Sequence, residues 1–353
     1  MMPALRILRP GLLTTVQDFG RLGFQHLGVP VGGALDAVAL RAANALVGNA
    51  PGAGALEVLY VGPAIEIEAD NVRLSFTGAN AAIEIFPDVT AITGRPVETM
   101  RSVLLRRGEV VRISSFGGGA VLYMAVEGGF EIAPAFGSVA TDIRGGIGGW
   151  HGRALVAGDR LPLRRMRATG REEWRIKGLD LAPPARVRAI AGPQSDYFTE
   201  TEIAAFFESR YTIGVGSDRM GMRLDGRRIG HARGHDITSD GIAPGSIQVL
   251  GNGQPVLLLA DRQTTGGYPK IATVISADLP AVGRLPIGAK IEFEPVTVEV
   301  AQALRRAMFA EIERIGHRIV PIGSSDTDVA DVALHLSDAN LISGVVDGRN
   351  WIM

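Results

Sequence analysis

The chain has 353 residues, 46% of them hydrophobic, which is long enough for two domains of ordinary size and a sizeable core. Its net charge of −1 and pI of about 6.6 argue against a nucleic-acid-binding protein and against a polybasic membrane surface. The absence of cysteine excludes disulfides, thiolate zinc sites and a cysteine nucleophile. The first residues show no signal-peptide pattern, so we expect a cytoplasmic protein.

Glycine is abundant, with 46 residues, and helical patterns are scarce, so the sequence predicts a mainly β protein with many tight turns. Two helices carry capping signals. Asp36 precedes a helix that ends near Gly48, and Thr199 with Glu202 forms a capping box before a second helix. A third helix is predicted over residues 298–315, and we interpret its single apolar stripe as core packing.

The charged segment 164–177, followed by a Gly/Pro-rich segment, predicts a domain boundary. We therefore expect an N-terminal domain over residues 1–180, a C-terminal domain over residues 181–320 and a tail over residues 321–353 that we cannot assign. An internal repeat agrees with two domains, because an apolar strand precedes both Gly128-Gly129 and Gly266-Gly267.

The second copy of this repeat carries an insertion, so its polar stretch runs from Asp261 to Lys270 between two apolar strands. Polar residues between core strands are costly unless they line a site. The adjacent glycines let the backbone approach a ligand closely or adopt positive φ. Lys270 is expected at the start of a strand, on a rigid scaffold. The stretch predicts a binding or catalytic site, and the alternative is a Gly-rich hairpin turn with polar decoration.

Two further clusters are candidates. Asp218 and Arg219 lie among glycine turns, where the arginine fork suits a carboxylate or a phosphate; the alternative is a charged hairpin. His231 and His235 have the i, i+4 spacing of metal ligands, but the neighbouring glycines argue against the required helix. Loop histidines with local hydrogen bonds are the favoured interpretation, with His235 or Asp236 as a candidate for proton transfer. We expect no protein-held metal.

The sequence contains no P-loop, dinucleotide fingerprint, serine-hydrolase elbow or Met-Lys-Met biotin-attachment site. It does contain several long motifs, in order, over about residues 5–295. They are Gln17-Asp18-Phe-Gly-Arg21, Gly33-Ala-Leu-Asp36, Gly192-Pro193, Ser217-Asp-Arg-Met-Gly221, Ser239-Asp-Gly-Ile242 and Gln263-Thr-Thr-Gly-Gly-Tyr-Pro-Lys-Ile-Ala-Thr273. Together they resemble the biotin-dependent carboxyltransferase family, also called KipA-like or allophanate hydrolase subunit 2. The resemblance implies two tandem cyclophilin-like β-barrel domains with a few short helices.

This family includes the C subunit of the bacterial ATP-dependent 5-oxoprolinase and the carboxyltransferase half of urea carboxylase. The chain shows no KipI-like segment, ATP-grasp domain or biotinyl domain, so we expect the 5-oxoprolinase role. The resemblance then implies a hetero-oligomer with two further subunits of that enzyme, a KipI-like B subunit and an A subunit. This complex opens 5-oxoproline to L-glutamate through a phosphorylated lactam, with ATP and Mg as cofactors, and the chain alone is expected to be inactive.

Two alternatives stay open. One is a carboxyltransferase component of a biotin-dependent urea or amide carboxylase, with biotin carried by a partner chain. The other is a non-enzymatic protein that binds a KipI-like kinase inhibitor.

Within the 5-oxoprolinase hypothesis the predicted catalytic residues are Lys270, Asp218 and Asp261. Lys270 supplies positive charge, and either aspartate orients or deprotonates a reactant. The N-terminal motif is expected to face the same cleft or a partner, or to serve in packing. The predicted substrate-binding residues are Arg219, Gln263, Thr264, Thr265, Gly266, Gly267, Tyr268, Gln17, Asp18 and Arg21.

Overall fold

The computed structural model describes residues 2–323, which form twenty strands and four α-helices and confirm the mainly β prediction. The helices are α1 (Ala37–Leu46), α2 (Glu200–Glu208), α3 (Leu279–Gly283) and α4 (Val298–Glu313). The strands are β1 (Ala4–Arg9), β2 (Leu13–Gln17), β3 (Ala55–Leu59), β4 (Ala64–Ile67), β5 (Asn71–Phe86), β6 (Arg95–Val97), β7 (Arg101–Arg106), β8 (Val110–Val126), β9 (Arg160–Pro162), β10 (Trp174–Ile176), β11 (Val187–Ala191), β12 (Arg210–Ile213), β13 (Gly221–Asp225), β14 (Asp240–Gly241), β15 (Ser246–Val249), β16 (Pro255–Leu258), β17 (Thr265–Gly266), β18 (Lys270–Val274), β19 (Lys290–Pro295) and β20 (Ile319–Pro321).

The chain divides into two compact units. The described part of the first contains residues 2–21, 36–181 and 311–323, and that of the second contains residues 22–35 and Ala182–Ala310. The domain bounds that composition indicates stay a prediction, and the predicted tail lies outside the described residues from position 324 onward.

The first unit is built on an eleven-stranded sheet, whose main path runs β20-β10-β7-β5-β8-β4-β1-β9. The antiparallel strands β5 and β8, of 16 and 17 residues, pair along most of their length. Successive side chains of a strand point to opposite faces, so one apolar row of each strand, including Phe76 and Met124, enters the core. Helix α1 begins where predicted, because the Asp36 carboxylate accepts hydrogen bonds from the N–H groups of Val38 and Ala39.

The second unit contains a closed barrel of seven strands in the order β11-β18-β15-β16-β13-β12-β19. Its core includes Phe206 of α2, whose ring stacks on Phe293 with centroids 5.0 Å apart. The N-cap of α2 is the predicted one, since Thr199 Oγ1 accepts from the Glu202 N–H at 3.2 Å. The Glu202 carboxylate does not close the box and instead accepts from the Gly230 N–H at 3.0 Å.

The burial of helix α4 differs from the prediction made for its apolar stripe. The position of the helix agrees with the sequence pattern, but the interpretation of its stripe as core is wrong for the helix itself, because none of its residues is fully buried. Val300, the first residue of the stripe after the start of the helix, is 44% exposed. The stripe reaches a core only at the end of the helix, where the partly buried Ile312 packs against the buried cluster of Ile315, Ile319 and Ile176 in the first unit. Within residues 2–323 no helix is long and apolar enough to cross a bilayer.

Candidate functional site

Lys270 is buried at the beginning of a barrel strand. It is the first residue of β18, as predicted, and is only 1% exposed. Its Nζ donates a hydrogen bond to Asp240 Oδ2 at 2.9 Å, and this is its single acceptor within residues 2–323. An ammonium group carries three N–H donors, so two remain for water or a ligand. Because burial of a charge is costly unless its hydrogen bonds are made, this arrangement indicates a binding site.

Asp240, the partner of Lys270, is exposed to solvent over about half of its side chain (51%). The hydrogen bond from Lys270, followed by one from Gln194 Nε2 at 3.2 Å, holds the pKa of the Asp240 carboxyl below its usual range. Asp240 is therefore an anion at neutral pH. The site thus pairs a buried cation with an anion that a solute can reach.

Gln194 connects the two members of this pair. Its Oε1 accepts a hydrogen bond from the Lys270 backbone N–H at 3.3 Å, while its Nε2 donates to Asp240. Neither Asp240 nor Gln194 is among the predicted site residues. The signal was present, because Asp240 lies in the motif Ser239-Asp-Gly-Ile242 and Gln194 follows Gly192-Pro193 directly.

The glycine pair fixes the backbone opposite Asp240. Strand β17 (Thr265–Gly266) pairs antiparallel with β14 (Asp240–Gly241), and Asp240 lies directly opposite Gly266. Neither Gly266 nor Gly267 adopts a positive φ. A Cβ at 266 would lie 2.7 Å from Ile242 Cδ1 and 2.8 Å from Gln248 Nε2, so a larger residue there would displace the ends of these two side chains.

The remaining polar residues of the stretch lie around this pairing. Gln248 Nε2 donates to the Tyr268 carbonyl at 3.2 Å, and the Thr264 carbonyl accepts from the Ile242 N–H at 3.0 Å. Tyr268 itself is 37% exposed. The Gln263 Oε1 atom is buried and accepts no hydrogen bond from any residue in the described part of the chain. A buried oxygen of this kind calls for a water or ligand donor.

Asp261 and Arg219, both predicted site residues, are brought together by the fold. Arg219 Nε and Nη2 donate to the two carboxylate oxygens of Asp261 at 2.8 and 2.9 Å, and Nη2 also donates to the Gly33 carbonyl at 2.6 Å. Asp218 accepts from the N–H groups of Met220 and Gly221 at the start of β13. These contacts give both aspartates structural partners, and their catalytic roles stay a prediction.

Gln17, Asp18 and Arg21 belong to the first unit, where all three are buried. The Gln17 amide and the Arg21 guanidinium donate to backbone carbonyls of residues 138–141. The Asp18 carboxylate accepts from Ser138 Oγ at 2.6 Å. These contacts fasten the N-terminal motif to a neighbouring loop of the same unit, which is a packing role; a role in substrate binding stays a prediction.

The histidine cluster follows the loop interpretation. His231 Nε2 lies 3.2 Å from the Val249 carbonyl, and the centroids of the His231 and His235 rings are 6.1 Å apart. No group of three metal-ligating side chains occurs among residues 2–323.

Comparison with known proteins places this geometry in a family. The family model for the carboxyltransferase domain, subdomain A and B, matches residues 27–295. The chain is 37% identical over 317 residues to the 5-oxoprolinase C subunit of Escherichia coli (strain K12). The aligned region covers 89% of this chain and 98% of that protein. It is 30% identical over 337 residues to the urea amidolyase of Lachancea kluyveri, covering 88% of this chain and 18% of that protein.

A solved structure agrees with these matches. The crystal structure of the K. lactis urea amidolyase superposes with a TM-score of 0.79 at 26% identity, and the match covers 91% of this chain and 21% of that chain. The family model extends over residues of both units described above.

Proposed function

The chain belongs to the carboxyltransferase family of subdomains A and B, and from this we propose that it is the C subunit of an ATP-dependent 5-oxoprolinase. In this role it acts in the cytoplasm with a KipI-like B subunit and an A subunit to open 5-oxoproline to L-glutamate. The likeness to the E. coli protein supports the proposal, because it is higher in identity than the likeness to the L. kluyveri urea amidolyase, at 37% against 30%, and extends over 98% of the E. coli protein.

The reaction needs an activated lactam, because an amide carbon is a poor electrophile. In the proposed sequence ATP, with Mg, transfers its γ-phosphoryl group to the lactam oxygen and leaves as ADP. Water then adds to the ring carbon, the ring C–N bond breaks, and the nitrogen takes a proton. The acyl phosphate that results is hydrolysed by a second water, which releases inorganic phosphate and leaves the side-chain carboxylate of glutamate.

The Lys270–Asp240 pair is the observation that carries this proposal at the level of residues. Negative charge develops on oxygen during both phosphoryl transfer and addition of water, and a fixed cation in a buried site stabilises it more strongly than one in water. Lys270 has two remaining N–H donors for such an oxygen or for the substrate carboxylate. Asp240 and Gln194 hold the lysine in place through hydrogen bonds to its Nζ and its backbone N–H.

The test is ATP hydrolysis by the chain purified with its two partner subunits, the KipI-like B subunit and the A subunit, measured with and without 5-oxoproline. Turnover should require 5-oxoproline and should fall about 10²- to 10³-fold in Lys270→Ala. Lys290→Ala is the matched control, because Lys290 begins another barrel strand but is exposed, and within residues 2–323 its ammonium donates only to Thr212 Oγ1. An equal rate of ATP hydrolysis with and without 5-oxoproline would contradict the proposal.

A carboxyltransferase role is the second candidate, and the TM-score of 0.79 with the K. lactis urea amidolyase favours it. In that reaction Lys270 would polarise the ureido oxygen of carboxybiotin carried by a partner chain. The two candidates separate in one assay, because the second requires bicarbonate and a biotinylated carrier with urea or another amide, and the first requires neither.

A further inference from the structure

A surface cleft of about 550 Å³ lies in the second unit, between the loop that carries His231 and His235 and the turn at residues 251–253. The volume lies within the range of small-ligand sites, and the cleft is open to solvent, so a ligand would be held from one side. Four of the nine residues that line the cleft are glycines, so much of its wall is backbone. Neither Lys270 nor Asp240 lines this cleft.

The positive charge of the cleft comes from Arg228. Its guanidinium makes no ion pair or hydrogen bond with any residue in the part of the chain that the structure describes. The other two arginines of this loop are already paired, Arg227 with Glu202 at 3.3 Å and Arg233 with Asp196 at 2.7 Å. An unpaired arginine fork on a cleft wall suits a phosphate group.

Neutral donors add to this charge. Asn252 Oδ1 accepts from the Gln254 N–H at 3.0 Å, which orients the amide so that Nδ2 stays a donor. The backbone N–H groups of Gly234 and Gly251 donate to no other residue between positions 2 and 323. Exposed backbone N–H groups in turns form concave sites for anions.

The two histidines are held by local contacts. His231 Nε2 faces a carbonyl, which can only accept, so this nitrogen carries a proton. His235 packs over Gly251, where a Cβ would lie 2.9 Å from His235 Cδ2, so a side chain at 251 would displace the imidazole ring. Two acids lie beside the cleft. The Asp236 carboxylate lies 3.3 Å from His235 Nε2, and the Glu202 carboxylate accepts from the N–H of the lining residue Gly230 at 3.0 Å and pairs with Arg227, so neither acid pairs with Arg228.

We propose that this cleft binds the phosphate group of a small phosphorylated ligand. Arg228, Asn252 Nδ2 and the N–H groups of Gly234 and Gly251 are the donors. The inference goes beyond the proposed function and does not depend on it, since it requires only this chain.

The test is isothermal titration calorimetry of the full chain with inorganic phosphate, pyrophosphate and ATP. Pyrophosphate should bind, and Arg228→Ala should weaken its binding at least tenfold. The matched control is Arg210→Ala, because Arg210 is an exposed arginine of the same unit that pairs with Glu292 outside the cleft. This control should stay within twofold of the unmodified chain, and Arg228→Lys should bind with intermediate affinity because it keeps the charge and loses the fork.

The affinities for the three probes show which part of a phosphorylated ligand the cleft recognises. Equal affinity for pyrophosphate and ATP indicates recognition of phosphate alone, and tighter binding of ATP indicates that its nucleoside is also held. Three outcomes would overturn the proposal: no binding of any probe at about 1 mM, an equal loss in Arg228→Ala and Arg210→Ala, or a loss in Lys270→Ala with none in Arg228→Ala. None of these requires turnover, so they do not bear on the 5-oxoprolinase proposal.

Discussion

Each unit buries a charged cluster beside a Gly-Gly pair, and the two clusters are built differently. In the first unit, Glu127 precedes Gly128-Gly129 and is 7% exposed, and Arg73, 1% exposed, donates to it at 2.5 Å. In the second unit, Lys270 is equally buried, but about half of the side chain of its partner Asp240 lies in solvent. In the first cluster both charged side chains of the pair are buried, whereas in the second only the lysine is buried and its aspartate is accessible to solvent.

The first cluster uses its hydrogen-bonding capacity within the chain. Burial alone would raise the pKa of Glu127, but hydrogen bonds from Thr169 and Arg73 outweigh it and hold that pKa below its usual value. Arg73 also donates to Glu173 at 3.2 Å and to the carbonyls of Thr169 and Arg171. A buried charge whose partners all come from the chain holds the fold together, whereas one with remaining donors and a solvent-facing partner can bind a ligand.

The first prediction removes the Arg73–Glu127 cluster. Arg73→Ala leaves Glu127 buried beside weaker partners, so the free energy of unfolding should fall by about 3–5 kcal/mol. Arg6→Ala, which breaks an exposed pair with Glu66 on the same sheet, should cost less than about 1 kcal/mol. Urea denaturation measures both. If the two variants lose equal stability, Arg73 is not the structural anchor that the comparison requires.

The second prediction alters the Lys270–Asp240 cluster. Asp240→Asn leaves the Lys270 ammonium without its anion, so kcat/KM for 5-oxoproline-dependent ATP hydrolysis by the complex should fall about 10²-fold. Asp196→Asn is the control, because Asp196 has a similarly exposed carboxylate, 56% against 51%, and pairs with Arg233. Steady-state kinetics on both variants measure the effect, and undiminished activity in Asp240→Asn would remove Asp240 from the site.

The third prediction compares the glycine pairs themselves. Gly129 has a φ of +77° and open space around it, so Gly129→Ala should cost about 1–2 kcal/mol of stability through backbone strain, with activity unchanged. Gly266→Ala places a methyl group against the ends of the Ile242 and Gln248 side chains, which can shift, so it should cost about 1 kcal/mol or less of stability but lower activity by displacing Gln248 from the Tyr268 carbonyl. Thermal unfolding and the ATPase assay together test this. Equal activity in the two variants would show that close packing at Gly266 is irrelevant to the site.

The fourth prediction concerns pH. Because the folded-state pKa of Glu127 is lowered, its stabilising contribution is complete above its unfolded pKa of about 4.3 and is lost as pH falls through the folded value. The free energy of unfolding should therefore fall less steeply with acidification in Glu127→Gln than in the unmodified chain. Denaturant titrations at a series of pH values from about 6 to 3 measure the two slopes. Identical slopes would show that Glu127 is not perturbed.

Local signals in the sequence were sufficient for several elements. Asp36 and Thr199 cap their helices as predicted because a cap depends on neighbours within one turn. The location of Lys270 at the start of a strand also followed from the local pattern. The stripe of α4 was misassigned because periodicity identifies an apolar face and does not reveal what covers it.

The hydrogen-bond partners of Lys270 could not be predicted from the sequence, because they depend on the fold. Asp240 is 30 residues away along the chain and Gln194 is 76 residues away, and only the barrel and the β14–β17 pairing bring them together. The similarity of the two sequence repeats also conceals a difference in backbone conformation between their glycine pairs. Gly128-Gly129 forms a turn with positive φ at both residues, whereas Gly266-Gly267 has positive φ at neither. The same Gly-Gly sequence therefore adopts two different backbone conformations.

The most direct test of the Lys270–Asp240 site is a double-mutant cycle on these two residues in the assembled complex, with kcat/KM for 5-oxoproline-dependent ATP hydrolysis as the readout. If the buried ammonium and its carboxylate act as one unit, the double variant Lys270→Ala/Asp240→Asn should be no less active than Lys270→Ala alone. Losses that multiply, so that the double variant falls by the product of the single effects, would contradict a shared role for the pair.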